Sequence, residues 1–207
     1  MNNIDLALYV VTDRGILGGK DLIKSIEESI IGGATVVQLR EKDVSTLDFH
    51  NIAIEVKKVT SKYNVPLIIN DRIDIALSSD ADGLHIGQDD MPLEIARKML
   101  GEEKIIGVSV RNVSEAILAE NGGADYLGVG AVYPTGSKND ATLVGLAELK
   151  RIKENVKIPV VAIGGINEKN TREVMDYKAD GVAVISAVFG KGDITAASKA
   201  LIELVRG

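Results

Sequence analysis

Two cations end an apolar stretch of the sequence, where TVVQLR (35–40) is followed directly by Glu41 and Lys42. Arg40 carries a planar guanidinium fork and Lys42 a mobile ammonium group, and both types of side chain bind phosphate oxygens. At the end of a buried strand, such a pair is most often only a solvated strand exit. A role in binding an anion therefore depends on what ends the other apolar stretches.

Carboxylates follow the next two apolar stretches. Asp71 comes directly after PLIIN (66–70), and the Asp89-Asp90 pair comes shortly after GLHIG (83–87). Oxygen ligands of this kind suit Mg²⁺, which often binds through one or two carboxylates together with the phosphates of a substrate. Each carboxylate could equally cap the helix that follows it. If they meet Arg40 and Lys42 in space, the pattern favours binding of a metal-bound diphosphate.

A second group of small and hydroxyl residues ends the last two apolar stretches, at Gly164-Gly165 and at Ile185-Ser186. Glycine lets a backbone N–H approach a phosphate oxygen closely, and the start of a helix favours negative charge. The pattern predicts helices from Glu168 onward and from near Asp193. These features indicate a separate monophosphate site, although Gly164-Gly165 is a simple turn by default.

Eight short apolar stretches alternate with amphipathic segments along the chain. In DLIKSIEESI (21–30), Leu22, Ile26 and Ile30 share one face and the charges lie elsewhere, which is the period of an α-helix. Strands that alternate with helices predict a parallel sheet covered on both faces. The apolar stretches are 6–12, 35–40, 66–70, 83–87, 105–110, 126–132, 159–165 and 181–186.

A two-strand repeat predicts that this sheet is closed. Ala-Thr or Ala-Asp pairs introduce the second, fourth, sixth and eighth strands, whereas Pro66 and Pro159 introduce the third and seventh. Such alternation is typical of the α/β (βα)8 TIM barrel, whose interior layers draw on alternate strands. An open, doubly wound sheet is the alternative. Because no Pro-, Ser- or Gly-rich linker divides the chain, we expect one barrel domain over residues 1–207, with the polar strand ends at one rim.

Composition narrows the classes of function. The 207 residues carry a net charge of −6, which argues against nonspecific binding of nucleic acid, and the first apolar stretch is far too short to cross a membrane. With no Cys and two His, neither a zinc site nor a thiol nucleophile is expected. We expect a soluble, cytoplasmic protein whose partners are small phosphorylated molecules, and the sequence leaves a homo-oligomer open. His85, inside a strand, is expected to be a satisfied interior residue rather than a base.

Eight short motifs, in order along nearly the whole chain, resemble the thiamine phosphate synthase family. Several motifs in the right order are far more specific than any one of them. The motifs are YVVTD (9–13), QLREK (38–42), INDR (69–72), HIGQDD (85–90), GVS (107–109), GVG (128–130), YPTGSK (133–138) and IGG (163–165).

The resemblance implies a transferase that joins hydroxymethylpyrimidine diphosphate to a thiazole phosphate, or to its carboxylated form, and releases pyrophosphate by a dissociative substitution. It implies that Asp71 and Asp90 hold Mg²⁺. The implied catalytic residues are Arg40, Lys42, Ser109 and Lys138. The implied pyrimidine diphosphate site consists of Gln38, Leu39, Arg40, Glu41, Lys42, Asn70, Ser109 and Lys138. The implied thiazole phosphate site consists of Thr135, Gly136, Ser137, Gly165, Ile185 and Ser186.

The sequence departs from the family pattern at three places, which affect the expected shape of the loops. Ser137 replaces a common Thr, Ala131 a frequent Pro, and Arg111-Asn112 a common His-Thr pair. Two other functions stay open. A thiazole tautomerase on the same barrel would need an acid–base group but no diphosphate site, so the two carboxylates and Lys138 argue against it. A phosphate-binding regulator would bind these ligands without turnover.

Overall fold

The structure is a closed barrel of parallel strands. Its strands are β1 Leu8–Val11, β2 Val36–Leu39, β3 Leu67–Asn70, β4 Gly83–Ile86, β5 Ile105–Val110, β6 Tyr126–Val129, β7 Val160–Ile163 and β8 Gly181–Val184. In this computed structural model, which describes residues 4–136 and 143–207, the strands follow one another in chain order and β8 pairs with β1. The predicted α/β (βα)8 TIM barrel is confirmed, and the open sheet is excluded.

Helices connect the strands and cover the barrel. In α2 (Leu22–Ile31), Leu22, Ile26 and Ile30 are buried, as the helical period predicts, and Asp21 caps the helix. Asp193 caps α10 (Ile194–Arg206) in the same way, which confirms the predicted start near that residue. The described helices are α1 Arg14–Leu17, α2 Leu22–Ile31, α3 Thr46–Lys62, α4 Ile73–Ser78, α5 Leu93–Leu100, α6 Val113–Asn121, α7 Gly145–Asn155, α8 Thr171–Asp176, α9 Ser186–Phe189 and α10 Ile194–Arg206.

One helix starts later than the sequence predicts. Helix α8 begins at Thr171 rather than at Glu168. The residues before it form a turn in which the Asn167 amide donates to Asn170 Oδ1, and both asparagine side chains donate to the carbonyl of Gly165. Asparagine side chains compete with the helix for backbone groups in this way, so the prediction from Glu168 onward was wrong by one turn.

Two apolar cores result from the alternation of side chains along the strands. Residues that point outward pack against the helices in the larger core. Residues that point inward form a smaller core, which contains branched aliphatic side chains and the fully buried Tyr9 and Tyr126. With aromatic residues at only 3% of the sequence, both cores depend mainly on Val, Ile, Leu and Ala. Branched residues of this kind fill the interior layers of such barrels.

The repeated Ala-Asp and Ala-Thr pairs close the amino-terminal rim of the barrel. Each Asp or Thr stands just before an even-numbered strand, and its side chain accepts a hydrogen bond from a backbone amide at the start of the preceding strand. Such an amide would otherwise lack a partner in the ladder. The bonds run from Leu8 N to Thr35 Oγ1 (3.0 Å), Leu67 N to Asp82 Oδ2 (2.7 Å), Ile106 N to Asp125 Oδ2 (2.8 Å) and Val160 N to Asp180 Oδ2 (2.7 Å).

The three carboxylates of this rim are also paired with cations on the covering helices. Lys57, Arg97 and Lys153 donate to Asp82, Asp125 and Asp180 respectively. Each carboxylate thereby ties one helix to two strands. Within the part of the chain that the structure describes, no helix is both long enough and apolar enough to cross a membrane.

Candidate active site

A cavity of about 410 Å³ lies at the carboxyl ends of the strands, and all eight strands contribute to its lining. This is the rim at which barrels of this kind place their sites. Most of the residues that the sequence predicts for the site meet here, although they are far apart in the chain. The predicted residues in the lining are Gln38, Arg40, Asn70, Asp71, Asp90, Ser109, Thr135, Gly165, Ile185 and Ser186.

Other predicted residues lie elsewhere. Those absent from the lining are Leu39, Glu41, Lys42 and Gly136, while Ser137 and Lys138 lie outside the described residues. Leu39 points into the outer core, so only its backbone is left to meet a ligand. The side chain of Glu41 is 1% exposed and accepts a hydrogen bond from Arg14 at 2.7 Å. Lys42 is exposed at the surface.

Arg40 is fixed at the cavity by an ion pair with Asp13 that was not predicted from the sequence. Its guanidinium Nη1 lies 2.9 Å from Asp13 Oδ2, and its side chain is 6% exposed. The same aspartate caps α1 through its other oxygen, which accepts from Ile16 N. A guanidinium has five N–H donors, so one bond to Asp13 leaves others for an anion. The ion pair therefore orients Arg40 without using up its binding capacity.

Asp71 and Asp90 both line the cavity, and neither caps a helix. The N-cap positions of α4 and α5 are Arg72 and Pro92, and neither position has a side-chain capping bond. The capping alternative for these aspartates was therefore wrong. Asp90 Oδ2 instead accepts from the amide of Gly87 at 2.7 Å, which closes the loop after β4.

The backbone of Asp71 fixes its direction. The residue adopts φ = 61°, in the left-handed region that non-glycine residues rarely enter, and its amide donates to the carbonyl of His85 at 2.8 Å. Aspartate is among the residues that tolerate this region best. Left-handed non-glycine residues tend to occur where a site demands a particular side-chain direction.

The opposite side of the cavity is built from backbone. Gly164 and Gly165 have φ values of 100° and 67°, and a Cβ at Gly165 would lie 2.6 Å from the carbonyl oxygen of Pro134. Only glycine therefore allows the turn after β7 to pack against the loop after β6. Ile185 and Ser186 complete this side at the end of β8, where Ser186 begins the short helix α9.

The loop after β6 is anchored to the barrel at its described ends. Val132 and Tyr133 donate backbone hydrogen bonds to the carbonyls of Ile163 and Gly164, and the carbonyl of Ala131 accepts from Val144 N at 2.8 Å. The Tyr133 hydroxyl donates to Glu173 at 2.6 Å; partial burial and this carboxylate raise its pKa to about 12. Thr135, two residues after Tyr133, lines the cavity.

Five side chains form a continuous hydrogen-bonded chain inside the barrel, which we call the interior relay. Gln38 Nε2 donates to the Tyr9 hydroxyl (2.8 Å), and the hydroxyls of Tyr9 and Tyr126 are 2.7 Å apart. The Tyr126 hydroxyl is 3.0 Å from His85 Nδ1, and His85 Nε2 is 2.9 Å from Ser109 Oγ. His85 is thus a satisfied interior residue, as expected. The relay joins Gln38 and Ser109, two residues predicted for the pyrimidine side.

The two phenols of the relay stay neutral. Burial raises the pKa of both Tyr9 and Tyr126 well above the ordinary value of 10.0. The space for them comes from glycine, because a Cβ at Gly107 would lie 2.1 Å from the Tyr126 ring and a Cβ at Gly128 would lie 3.0 Å from the His85 ring. No role was predicted for the tyrosines; their only signal in the sequence is that Tyr9 and Tyr126 take inward-facing places in the alternation of β1 and β6.

Arg111 is a further cavity residue that sequence reasoning did not place in the site. It follows β5 directly and lines the cavity, where its guanidinium Nε is 3.9 Å from the carboxylate of Glu115. Its neighbour Asn112 caps α6. Arg111 attracted attention in the sequence only as a departure from the family pattern, yet it adds a second cation to the rim. One cavity thus combines two arginines, three acidic residues (Asp71, Asp89 and Asp90) and a glycine-lined wall.

Comparison with known proteins identifies the family. The sequence model of the family described as thiamine monophosphate synthase matches residues 8–188. A thiamine-phosphate synthase of Clostridium acetobutylicum is 56% identical over 206 residues, which cover 100% of this chain and 98% of that protein. A thiamine-phosphate synthase of Alkaliphilus oremlandii is 54% identical over 200 residues, covering 97% and 96% of the two chains.

A solved structure extends the similarity to three dimensions. Thiamine phosphate pyrophosphorylase from Pyrococcus furiosus superimposes with a TM-score of 0.90 at 44% identity, and the match covers 98% of this chain and 96% of that one. Family, sequence and fold agree over almost the full length. The chain belongs to the thiamine monophosphate synthase family and is a transferase.

Proposed function

We propose that this protein joins 4-amino-2-methyl-5-hydroxymethylpyrimidine diphosphate to 4-methyl-5-(2-phosphoethyl)thiazole, or to its carboxylated form, giving thiamine phosphate and pyrophosphate, together with CO₂ when the carboxylated form is used. One observation carries the proposal: in a member of this family, a single cavity joins Arg40, Asp71 and Asp90 to the glycine-lined wall at Gly165. The first group suits a diphosphate, and the wall suits a monophosphate. The partners of the protein are then two small phosphorylated molecules.

Cations at the rim bind the leaving diphosphate. Arg40 is already oriented by Asp13; Lys42 and Lys138, which follow the second and sixth strands in the sequence, are the further cations of this proposal. A cation about 4 Å from one phosphate charge gains about 4 kcal/mol at an effective dielectric of about 20. Several such contacts stabilise the charge that develops as the bond to the diphosphate breaks.

The carboxylates fit Mg²⁺. Asp71 and Asp90 line the same cavity. Among residues 4–136 and 143–207, no group of three or more His, Cys, Asp or Glu side chains could hold a metal ion by itself, so the substrate would have to supply further ligands. Two carboxylates, with the remaining oxygens supplied by substrate phosphates and water, are the set that Mg²⁺ commonly takes. Bound there, Mg²⁺ would neutralise diphosphate charge. Asp90 is held ready by the amide of Gly87.

The pyrimidine lies against Gln38, Asn70 and Ser109, which line the cavity below the charged rim. The bond between its methylene carbon and the diphosphate oxygen breaks first, and the electron-rich aminopyrimidine ring supports the resulting cation. The thiazole nitrogen then attacks this carbon. No protein nucleophile takes part, so the residues contribute orientation and electrostatic stabilisation.

The thiazole phosphate binds across the cavity. Thr135, Gly136 and Ser137 supply hydroxyl and backbone groups from the loop after β6. Gly165, Ile185 and Ser186 supply the wall formed after β7 and β8. Loops after the last two strands are the common phosphate-binding place in this fold. Opposed binding places bring the thiazole nitrogen toward the pyrimidine carbon.

The test is to mix both substrates with Mg²⁺ and to measure pyrophosphate release and thiamine phosphate formation. We expect both products, their loss on chelation with EDTA, and recovery when Mg²⁺ is restored. Asp71→Asn and Asp90→Asn should each require more Mg²⁺ for half-maximal rate. Conversion of one thiazole isomer into another without pyrophosphate would identify a tautomerase, and binding without any product would identify a regulator; either result would overturn the proposal.

A further inference from the structure

The interior relay is a chain in which each member constrains the next. Its five members are Gln38, Tyr9, Tyr126, His85 and Ser109, which come from five different strands. The two phenols carry one proton each, and an imidazole in its neutral form carries one proton on one of its two nitrogens. The donor and the acceptor of each hydrogen bond in the interior relay can therefore be assigned by counting protons.

The count starts at Gln38. Its Nε2 group donates to the Tyr9 oxygen, so the single Tyr9 proton is left to point at the Tyr126 oxygen. Tyr126 in turn has its own proton left for His85 Nδ1. If Tyr126 instead donated to Tyr9, the Tyr9 proton would lose its partner inside the barrel, where an unpaired buried donor is destabilising.

The count ends at Ser109. Because Nδ1 of His85 accepts from Tyr126, the ring proton lies on Nε2, which donates to the Ser109 oxygen. The Ser109 proton is then available to the cavity. A doubly protonated His85 would donate from both nitrogens and reverse the Tyr126 hydroxyl, so the same count requires a neutral ring.

We propose that the interior relay holds His85 as the neutral tautomer protonated on Nε2, and that it thereby makes Ser109 a donor and the Gln38 carbonyl an acceptor toward the bound heterocycle. Tyr9 and Tyr126 are positioning residues, since they act on the substrate only through their neighbours. The part that concerns the heterocycle rests on the proposed function, whereas the tautomer of His85 does not.

The proposal assigns a source of specificity. An aminopyrimidine presents an N–H donor on its amino group beside an accepting ring nitrogen, which matches the Gln38 carbonyl and the Ser109 hydroxyl. The corresponding 4-oxo pyrimidine presents a carbonyl beside a ring N–H, so its carbonyl would face the Gln38 carbonyl and its N–H would leave the Ser109 proton without an acceptor. A site built to hydrogen-bond one pattern rejects the other because its buried polar groups are left unpaired.

If the interior relay served only to pack the barrel, the expected result for His85 would differ. Phenylalanine at positions 9 and 126 would fill the same volume, and a relay that serves only packing would not fix the proton on either nitrogen of His85. The glycines at 107 and 128 leave the room in which the Tyr126 hydroxyl and the His85 ring meet their partners. The decisive measurement is therefore the position of a proton rather than stability.

The tautomer can be measured directly in the free protein. The chain has only two histidines, His50 and His85, so ¹⁵N-labelled histidine gives two sets of ring signals in long-range ¹H–¹⁵N spectra, and His50→Gln assigns them. For His85 at neutral pH we expect a protonated-type shift at Nε2 and an unprotonated-type shift at Nδ1. Protonation on Nδ1, on both nitrogens, or an average of the two tautomers would overturn the proposal.

A matched pair of variants connects the tautomer to specificity. Tyr126→Phe removes the donor to Nδ1, whereas Tyr63→Phe removes a hydroxyl that bonds Glu27 outside the barrel. We expect Tyr126→Phe to shift the His85 signals toward the tautomer average and to reduce the preference in kcat/KM for the 4-amino over the 4-oxo diphosphate about tenfold or more. Tyr63→Phe should change neither.

The outcomes separate the two proposals. If the wild-type protein shows the expected tautomer but releases no pyrophosphate, the relay stands and the proposed function fails. If pyrophosphate is released but His85 shows no preference between its nitrogens, the function stands and the relay fails. Unchanged His85 signals in a folded Tyr126→Phe variant would also overturn the relay, and Tyr9→Phe provides a second break in the chain if that variant does not fold.

Discussion

The hydroxyl oxygens of Tyr9 and Tyr126 lie 2.7 Å apart inside the barrel, although 117 positions separate them in the sequence. Strands β1 and β6 are not neighbours in the sheet, so this bond crosses the interior of the barrel. It is the second of the four links in the interior relay. Both phenols are fully buried, and this burial has consequences at high pH.

Alkaline unfolding should depend on these two phenols. Their pKa values are raised by burial, so the folded state keeps both protons while the unfolded state loses them above about pH 10. The associated stability is complete below that pH and is lost as pH rises toward the folded-state values, at about 1.4 kcal/mol per pH unit for each phenol.

Tyr126→Phe removes one of these groups, so its free energy of unfolding should fall less steeply between pH 10 and about pH 11.5. Urea titrations across this range measure the slope, and tyrosinate absorbance reports ionisation. Tyr63→Phe is the control. Equal slopes for Tyr126→Phe and the wild type would show that the Tyr126 proton is not retained in the folded state.

Substitution of the interior glycines should reveal how tightly the relay is packed. A Cβ at Gly107 would lie 2.1 Å from the Tyr126 ring, a Cβ at Gly128 would lie 3.0 Å from the His85 ring, and a Cβ at Gly192 would meet nothing within 4 Å. We expect Gly107→Ala to lower the free energy of unfolding by about 1–3 kcal/mol or more, Gly128→Ala by less, and Gly192→Ala hardly at all. Chemical unfolding measures the order. A Gly107→Ala variant as stable as Gly192→Ala would contradict it.

The carboxylates of the amino-terminal rim should affect stability and leave catalysis intact. Asp180→Ala removes the acceptor of the buried Val160 amide, so we expect a loss of about 1–3 kcal/mol in urea unfolding with unchanged kcat and KM. Lys153→Ala breaks only the partly exposed ion pair with Asp180 and should cost less than about 1 kcal/mol. Equal losses for the two variants would assign the effect to the ion pair, against this expectation.

Lys138 carries the largest predicted catalytic effect. If its ammonium group stabilises the departing pyrophosphate, Lys138→Ala should lower kcat on the order of 10²-fold at saturating substrate and Mg²⁺. Lys58→Ala is a matched control, because Lys58 lies on α3 and pairs with Glu55 on the same helix. Near-normal turnover of Lys138→Ala would show that the sequence assigns this residue to the wrong role.

Much of the barrel is predictable because its signals are local. The eight apolar stretches predict the strands, and the Ala-Asp repeat predicts their alternation. Asp82, Asp125 and Asp180 each accept a hydrogen bond from a backbone amide near the start of the preceding strand. Gathering of Arg40 and Asp71 at one rim follows from parallel strands alone. The late start of α8 was not predicted, because it depends on side-chain bonds from Asn167 and Asn170 to a glycine carbonyl.

The contacts within the site are less predictable, because they join residues that are distant in the chain. The sequence presents Arg40 and Asp13 27 positions apart, and it gives no sign that they form an ion pair. It also leaves the capping alternative open for Asp90, which the bond to Gly87 removes. In the sequence, Tyr9 and Tyr126 look like ordinary strand residues, because only the closure of the sheet brings their hydroxyls together.

The Ala-Asp and Ala-Thr pairs have a wider consequence for how such a chain can evolve. Each odd-numbered strand has an amide near its start that is bonded by a side chain standing just before the next strand, so these bonds require no residue of the substrate-binding rim. Loops at the substrate-binding rim can therefore be exchanged for new chemistry while the amino-terminal rim keeps the same hydrogen bonds.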